Sequence, residues 1–124
     1  MKVANTKFYK LVFWTYIVII SYLAFFPHTS SSIPNIDKVK HCLAFIVFAF
    51  LVQKSYKVGN LLTMFYVVLF GAFIEVVQLF IPYRNADIFD LLADVIGGLI
   101  AILTKKLITL YMVKNEKLSD LDTR

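Results

Sequence analysis

Four long apolar stretches, separated by short polar clusters, constrain this chain more than any other feature. Crossing the hydrocarbon core of a bilayer takes about 20 mostly apolar residues, with roughly 17 to 25 tolerated. Stretches at about residues 8–26, 37–53, 61–81 and 86–104 all meet that length. Pro27 and Pro82 close the first and third, and a turn containing Lys54, Tyr56, Lys57, Gly59 and Asn60 separates the second from the third. With 60% hydrophobic and only 17% charged residues, the 124-residue chain lacks the polar shell a soluble domain of its size requires. The expected fold is all-α, an integral membrane bundle of four transmembrane helices. It forms one domain over residues 1–113, and residues 114–124 are expected to be a polar, disordered tail.

A basic segment (Lys2, Lys7, Lys10) followed by an apolar run is also how a secretory signal starts. Phe25-Phe26-Pro27-His28 offers no small-residue cleavage site, and three further apolar stretches need a membrane in any case, so an uncleaved first helix is expected. The net charge of +5 raises the question of nucleic acid, yet Lys and Arg form no stripe interleaved with exposed aromatics. No nucleic-acid partner is expected. Cys42 is the single cysteine, which excludes an intrachain disulfide.

The positive charge reads instead as orientation, because Lys and Arg accumulate in cytoplasmic loops near helix ends. All but Lys38, Lys40 and Arg84 of the 13 basic residues lie in the N-terminus, the second loop or the C-terminal tail. Both termini are therefore expected in the cytoplasm, in a multi-pass protein of the bacterial cytoplasmic (inner) membrane. Loops one and three then face outward.

That topology gathers five of the eight acids at the outer ends of helices two, three and four. An ionisable residue inside a transmembrane helix costs about 2.5–3.5 kcal/mol on insertion scales and generally has partners and a role. Asp87, Asp90 and Asp94 are three and four residues apart and share one face of the fourth helix. Glu75 and Gln78 share a face of the third, and Asp37 and His41 a face of the second. At 1.5 Å per residue, Glu75 lies about 10 Å below Pro82 and Asp94 about 10 Å below Asp87, so these two are expected at one deep level. His41, Gln78 and Asp90 form a shallower layer, with Asp37, Arg84 and Asp87 at the rim.

Plainer readings stand beside these. Asp37 and Asp87 could be N-caps, Asp90 a first-turn acid favoured by the helix dipole, and Arg84 an interfacial anchor. Glu75 and Gln78 could be a structural pair. Phe45, Phe48, Phe70, Phe73 and Phe80 are expected to pack or face lipid. Ala93, Gly97 and Ala101 form a row of small residues that permits close helix approach and offers a face for contact between copies of the chain. Gly71 is expected to admit a neighbouring helix near Glu75.

Asp37-Lys38-x-x-His41 with Phe45, Glu75-x-x-Gln78, and Arg84-x-x-Asp87-x-x-Asp90 with Gly97 together resemble the motifs of the VanZ-like family, small polytopic membrane proteins linked to teicoplanin and glycopeptide resistance. The resemblance runs from about Asp37 to Ala101. Asp94 stands where that family usually has Asn, and Cys42 where an aromatic is common. The resemblance implies a setting in the cell envelope and leaves the chemistry open.

Three functions compete. In the first, an outward-facing pocket binds or alters exposure of an envelope lipid or lipid-linked cell-wall precursor. Lys38 and Arg84 hold an anionic headgroup, and Gln78, Asp87, Asp90 and Asp94 with His41 hydrogen-bond its sugar or amine. In the second, a hydrolase or transferase uses His41 oriented by Asp37, with Glu75 as acid or base. The third, a proton- or cation-coupled carrier, has almost no polar residues toward the cytoplasm to form a path. No cofactor is indicated. The spacing matches no metal motif, so no metal ligands are assigned, although the carboxylates and His41 leave a divalent ion open as an alternative.

Overall fold

The computed structural model describes residues 3–26, 33 and 35–124. Pro27, His28 and most of the polar loop expected there lie outside the described residues. Among the described residues there are four α-helices and no strand: α1 (Val3–Phe25), α2 (Ile36–Tyr56), α3 (Asn60–Leu79) and α4 (Ile88–Asp122).

Local sequence accounts for most of the ends. α2 starts after Asn35 in the left-handed region (φ 60°), a conformation asparagine tolerates better than most residues. It therefore takes in Asp37 as a first-turn acid and not as its cap. α2 ends at Lys57, also left-handed (φ 51°), whose amide closes back on the Gln53 carbonyl. α3 stops just before Pro82, which disfavours helix at the residue ahead of it. Asp87 caps α4, its carboxylate accepting from the Phe89 amide at 2.9 Å.

The C-terminal tail departs from expectation. α4 runs unbroken for 35 residues to Asp122, so residues 114–124 are helical almost throughout and not disordered. Beyond Gly98 the sequence contains no Gly or Pro to stop it, and Leu, Lys, Met and Glu sustain helix well. At about 52 Å the helix outreaches the bundle, and every residue after Ile102 is exposed.

α2 and α4 run in the same direction and share the most extensive contact, while α1 packs on α2 and α3 on the far side from α4. The α2–α4 approach depends on Gly97, where any Cβ would overlap the Cys42 carbonyl oxygen. Ala93 and Ala101 of the same row are buried within the chain. The small-residue face expected to join copies is thus already covered, because α2 sits on it.

The core is aromatic. Phe45 and Phe48 are buried, and with Phe13 and Phe70 their rings stack or tilt at centroid distances of 5.3–5.8 Å. Phe73 and Phe80 are exposed, as expected of packing or lipid-facing residues. Polar ties fix α1: Ser55 donates to the Tyr9 carbonyl at 2.9 Å, and Trp14 to the Tyr56 hydroxyl at 2.8 Å.

Two helices, α1 over Asn5–Phe25 and α3 over Asn60–Leu79, are long and apolar enough to cross a membrane. Little of either is buried in the bundle, so most of their apolar surface points outward.

Candidate functional site

The ionisable side chains converge at the end of the bundle where α2 and α4 begin and α3 ends. His41 anchors the group. Its Nδ1 lies 2.8 Å from Asp94 Oδ1, and its Nε2 lies 3.8 Å from Asp90 Oδ2. Asp94 is fully buried. A hydrogen bond at Nδ1 fixes the imidazole plane and directs Nε2 toward Asp90.

Asp94 fits because of Gly71. A Cβ at position 71 would stand 2.6 Å from Asp94 Oδ2 and 2.9 Å from a methyl of Leu91. Gly71 admits α4, as expected, but the carboxylate beside it belongs to Asp94 and not Glu75.

Glu75 occupies a different level. Its Oε2 accepts from the Asp87 amide at 2.8 Å, while its Oε1 is buried without a hydrogen bond. The connection 80–87 folds down onto α3, so α4 begins about 6 Å below the end of α3, the rise from Glu75 to Leu79. The expected pairing of Glu75 with Asp94 assumed level helix ends. The dip instead sets Glu75 beside Asp87 and Asp90, and Asp94 beside Gly71.

Lys38 closes the rim, its Nζ 3.0 Å from Asp87 Oδ2 and 3.6 Å from Asp90 Oδ1. Asp87, in the connection ahead of α4, has its carboxyl held below the usual carboxylate range by the Phe89 amide and by Lys38. Asp90 differs from its neighbours. It is 8% exposed, yet its side chain makes no hydrogen bond among the described residues, and the nearest cation is Lys38 at 3.6 Å.

Three site expectations need correction. Asp37 is exposed and does not orient His41; Asp94 does. Helical spacing permitted the Asp37–His41 pair, but the buried face of α2 turns His41 toward α4. Gln78 donates to the Ala24 carbonyl at 2.9 Å, linking α3 to the end of α1 and not facing the acids. Arg84 Nη2 donates to the carbonyls of Leu23 at 2.6 Å and Phe26 at 3.0 Å. It satisfies acceptors left over at the C-terminus of α1, where a cation also suits the helix dipole.

The cluster is therefore acidic, with four carboxylates (Glu75, Asp87, Asp90, Asp94) facing Lys38 and His41. One potential ligand atom from each of His41, Glu75 and Asp90 lies within 4.8 Å of the others.

Sequence reasoning missed a polar network at the opposite end. Gln53 donates to Thr63 at 2.9 Å and to Asn60 at 3.0 Å, and accepts from Lys105 at 3.1 Å. A cavity of about 460 Å³ opens beside it, lined in part by Lys54, Lys57 and Lys105. The only signal was Gln53 itself, an amide at the end of an apolar run, which looked like a boundary residue.

Among known proteins, the family model described as VanZ/LLP1 matches residues 5–109. No curated protein and no solved structure matches the chain. The matched span covers α1, α2, α3 and the packed part of α4, including every residue of the acidic cluster. The chain belongs to the VanZ/LLP1 family.

Proposed function

We propose that the chain is a four-span protein of the bacterial cytoplasmic membrane, with residues 1–113 as the membrane domain, both termini cytoplasmic and the acidic cluster facing outward. In this reading it binds, or alters exposure of, the headgroup of an envelope lipid or lipid-linked cell-wall precursor, and thereby affects glycopeptide action. Exposed apolar faces on all four helices support the spans, among them Val18 on α1, Leu43 on α2, Leu69 on α3 and Leu99 on α4. The distribution of Lys and Arg supports the orientation.

The observation that carries the headgroup reading is Asp90, a buried carboxylate without a hydrogen bond in a cluster that opens at the bundle's end. A group so costly to bury is expected to meet a ligand. Arg84 is engaged with α1 and Lys38 with Asp87, so hydroxyls or amines of the ligand would meet the carboxylates first. Mass spectrometry of lipid copurifying with the protein, and binding of that lipid to wild type against Asp90→Asn, test the reading. Equal binding by the two would refute it. Teicoplanin susceptibility of cells expressing each form tests the resistance role.

One observation favours a second reading, a membrane-embedded hydrolase or transferase. The Asp94–His41 pair at 2.8 Å is how a carboxylate orients a general base, with Asp94 in the part expected of Asp37 and Glu75 close by. Turnover of a lipid-linked phosphate that is lost in His41→Ala would establish it.

A further inference from the structure

An acidic site that is to hold a phosphate-bearing headgroup needs a cation, and neither basic side chain near it is at liberty: Lys38 lies against Asp87, and Arg84 against carbonyls of α1. We propose that His41, Glu75 and Asp90 form a divalent-cation site, with Asp94 orienting the histidine, and that the cation presents the phosphate of an envelope lipid to the site. The last part rests on the headgroup reading; the cation site does not.

Three observations carry it. First, each member of this trio keeps a donor atom that the internal hydrogen bonds leave over, as does Asp94 at Oδ2, which is packed against Gly71. Asp94 engages His41 Nδ1, which leaves Nε2; the Asp87 amide engages Glu75 Oε2, which leaves Oε1; the Asp90 side chain is hydrogen-bonded at neither oxygen. Second, Asp90 is 8% exposed and its Oδ2 turns toward His41 Nε2 at 3.8 Å, while Glu75 Oε1 is buried without a hydrogen bond. A carboxylate oxygen shielded from water and without a donor, as at Glu75 Oε1, is poorly accounted for by packing. Third, a histidine that ligates a metal characteristically gives its other ring nitrogen to a carboxylate, as His41 does to Asp94.

The geometry is within reach. Donor atoms sharing a metal at about 2.1 Å stand roughly 3–3.5 Å apart, against at most 4.8 Å here, so closure needs a movement on the order of 1 Å. A cation between the Glu75 and Asp90 carboxylates would offset their mutual repulsion. One imidazole with two carboxylates suits Mn²⁺ or Zn²⁺ better than Ca²⁺, which takes an all-oxygen shell. Three protein ligands leave positions open for phosphate oxygens. Lys38 remains on Asp87, at 3.0 Å its closer partner.

The test uses the full chain in detergent, treated with chelator and without added lipid, titrated with Mn²⁺ and followed by electron paramagnetic resonance, with Zn²⁺ as a second probe. The expected result is one Mn²⁺ per chain, with affinity lowered at least about 10-fold in Glu75→Gln and Asp90→Asn and about 10–100-fold in Asp94→Asn. Asp37→Asn, outside the trio, is expected to bind as wild type does. No saturable binding of either ion by wild type overturns the site, and so does binding unchanged in both Glu75→Gln and Asp90→Asn. Should those variants fail to fold, a single variant placed away from the trio gives the answer. Mn²⁺ bound to His28→Ala should show spin-echo modulation from one imidazole nitrogen, that of His41, and its absence overturns the site.

A separate arm adds a polyprenyl phosphate with Mn²⁺ or with chelator. Lipid binding that requires Mn²⁺ supports the whole proposal. Binding equal in the two conditions overturns the cation's role toward phosphate and leaves the headgroup reading intact. Mn²⁺ binding with no lipid binding leaves the cation site intact and overturns its role toward this lipid class.

Discussion

His41 on α2 and Asp94 on α4 meet at 2.8 Å inside the bundle, joining the two helices that share its largest interface. Asp94→Ala would leave the His41 Nδ1 group without its partner, at a cost of about 1–3 kcal/mol. A double-mutant cycle with His41→Ala, read by thermal unfolding in detergent, should give a coupling of about 0.5–3 kcal/mol. Coupling near zero would mean the contact contributes nothing to holding α2 on α4. Gly71→Ala should weaken the same pair from the far side, because its Cβ needs the space of Asp94 Oδ2.

Glycines at three positions should respond differently to the same methyl group. Gly97→Ala meets the backbone of α2 at Cys42, which can yield only by separating the helices, so a loss of about 1–3 kcal/mol is expected. Gly98→Ala meets Met64 Sδ at 3.0 Å and Val67 methyls at 3.1–3.2 Å, side chains that can shift, and should cost less. Gly59→Ala meets nothing within 4 Å and should leave stability nearly unchanged. Unfolding midpoints of the three variants give the ranking.

Arg84→Ala should act on the end of α1. Losing its hydrogen bonds to the Leu23 and Phe26 carbonyls is expected to cost about 1 kcal/mol, reduced by partial exposure, and to raise amide exchange in the last turn of α1. Mn²⁺ binding should be unaffected. A loss of Mn²⁺ affinity with no change in α1 would place Arg84 in the site after all.

Asp87→Asn keeps a side-chain oxygen for the Phe89 amide but removes the charge facing Lys38. Since the folded carboxyl titrates below its ordinary 3.8, its contribution is complete above that value and is lost as the pH falls through the lower folded value. The difference in unfolding midpoint between wild type and Asp87→Asn should therefore shrink on acidification below about pH 4. Asp87→Ala, which also loses the cap, should be the less stable of the two.

What the sequence determined by itself was whatever depends on neighbours along the chain. Four apolar stretches implied four helices, because spacing and hydropathy are local properties, and the VanZ-like motifs marked His41, Glu75 and Asp90 as residues to watch. Asp87 could be read as a cap for the same reason. The unbroken run of α4 was legible too, since nothing after Gly98 breaks a helix, although its polarity suggested disorder. Tertiary structure alone decided which of the polar residues face one another. Asp37 and Gln78, which share helix stripes with the site, turn to solvent and to α1, because rotation of each helix about its axis is set by packing across the bundle, and Arg84, in the connection ahead of α4, reaches the end of α1. The level of Glu75 depended on a connection that dips by about one turn, a displacement no count of residues along either helix contains. Gly71 and Gly97 then fixed how closely α4 approaches, and with it the pairing of Asp94 with His41. The ionisable residues were visible in the sequence, but the site exists only through the register of three helices, which long-range contacts set.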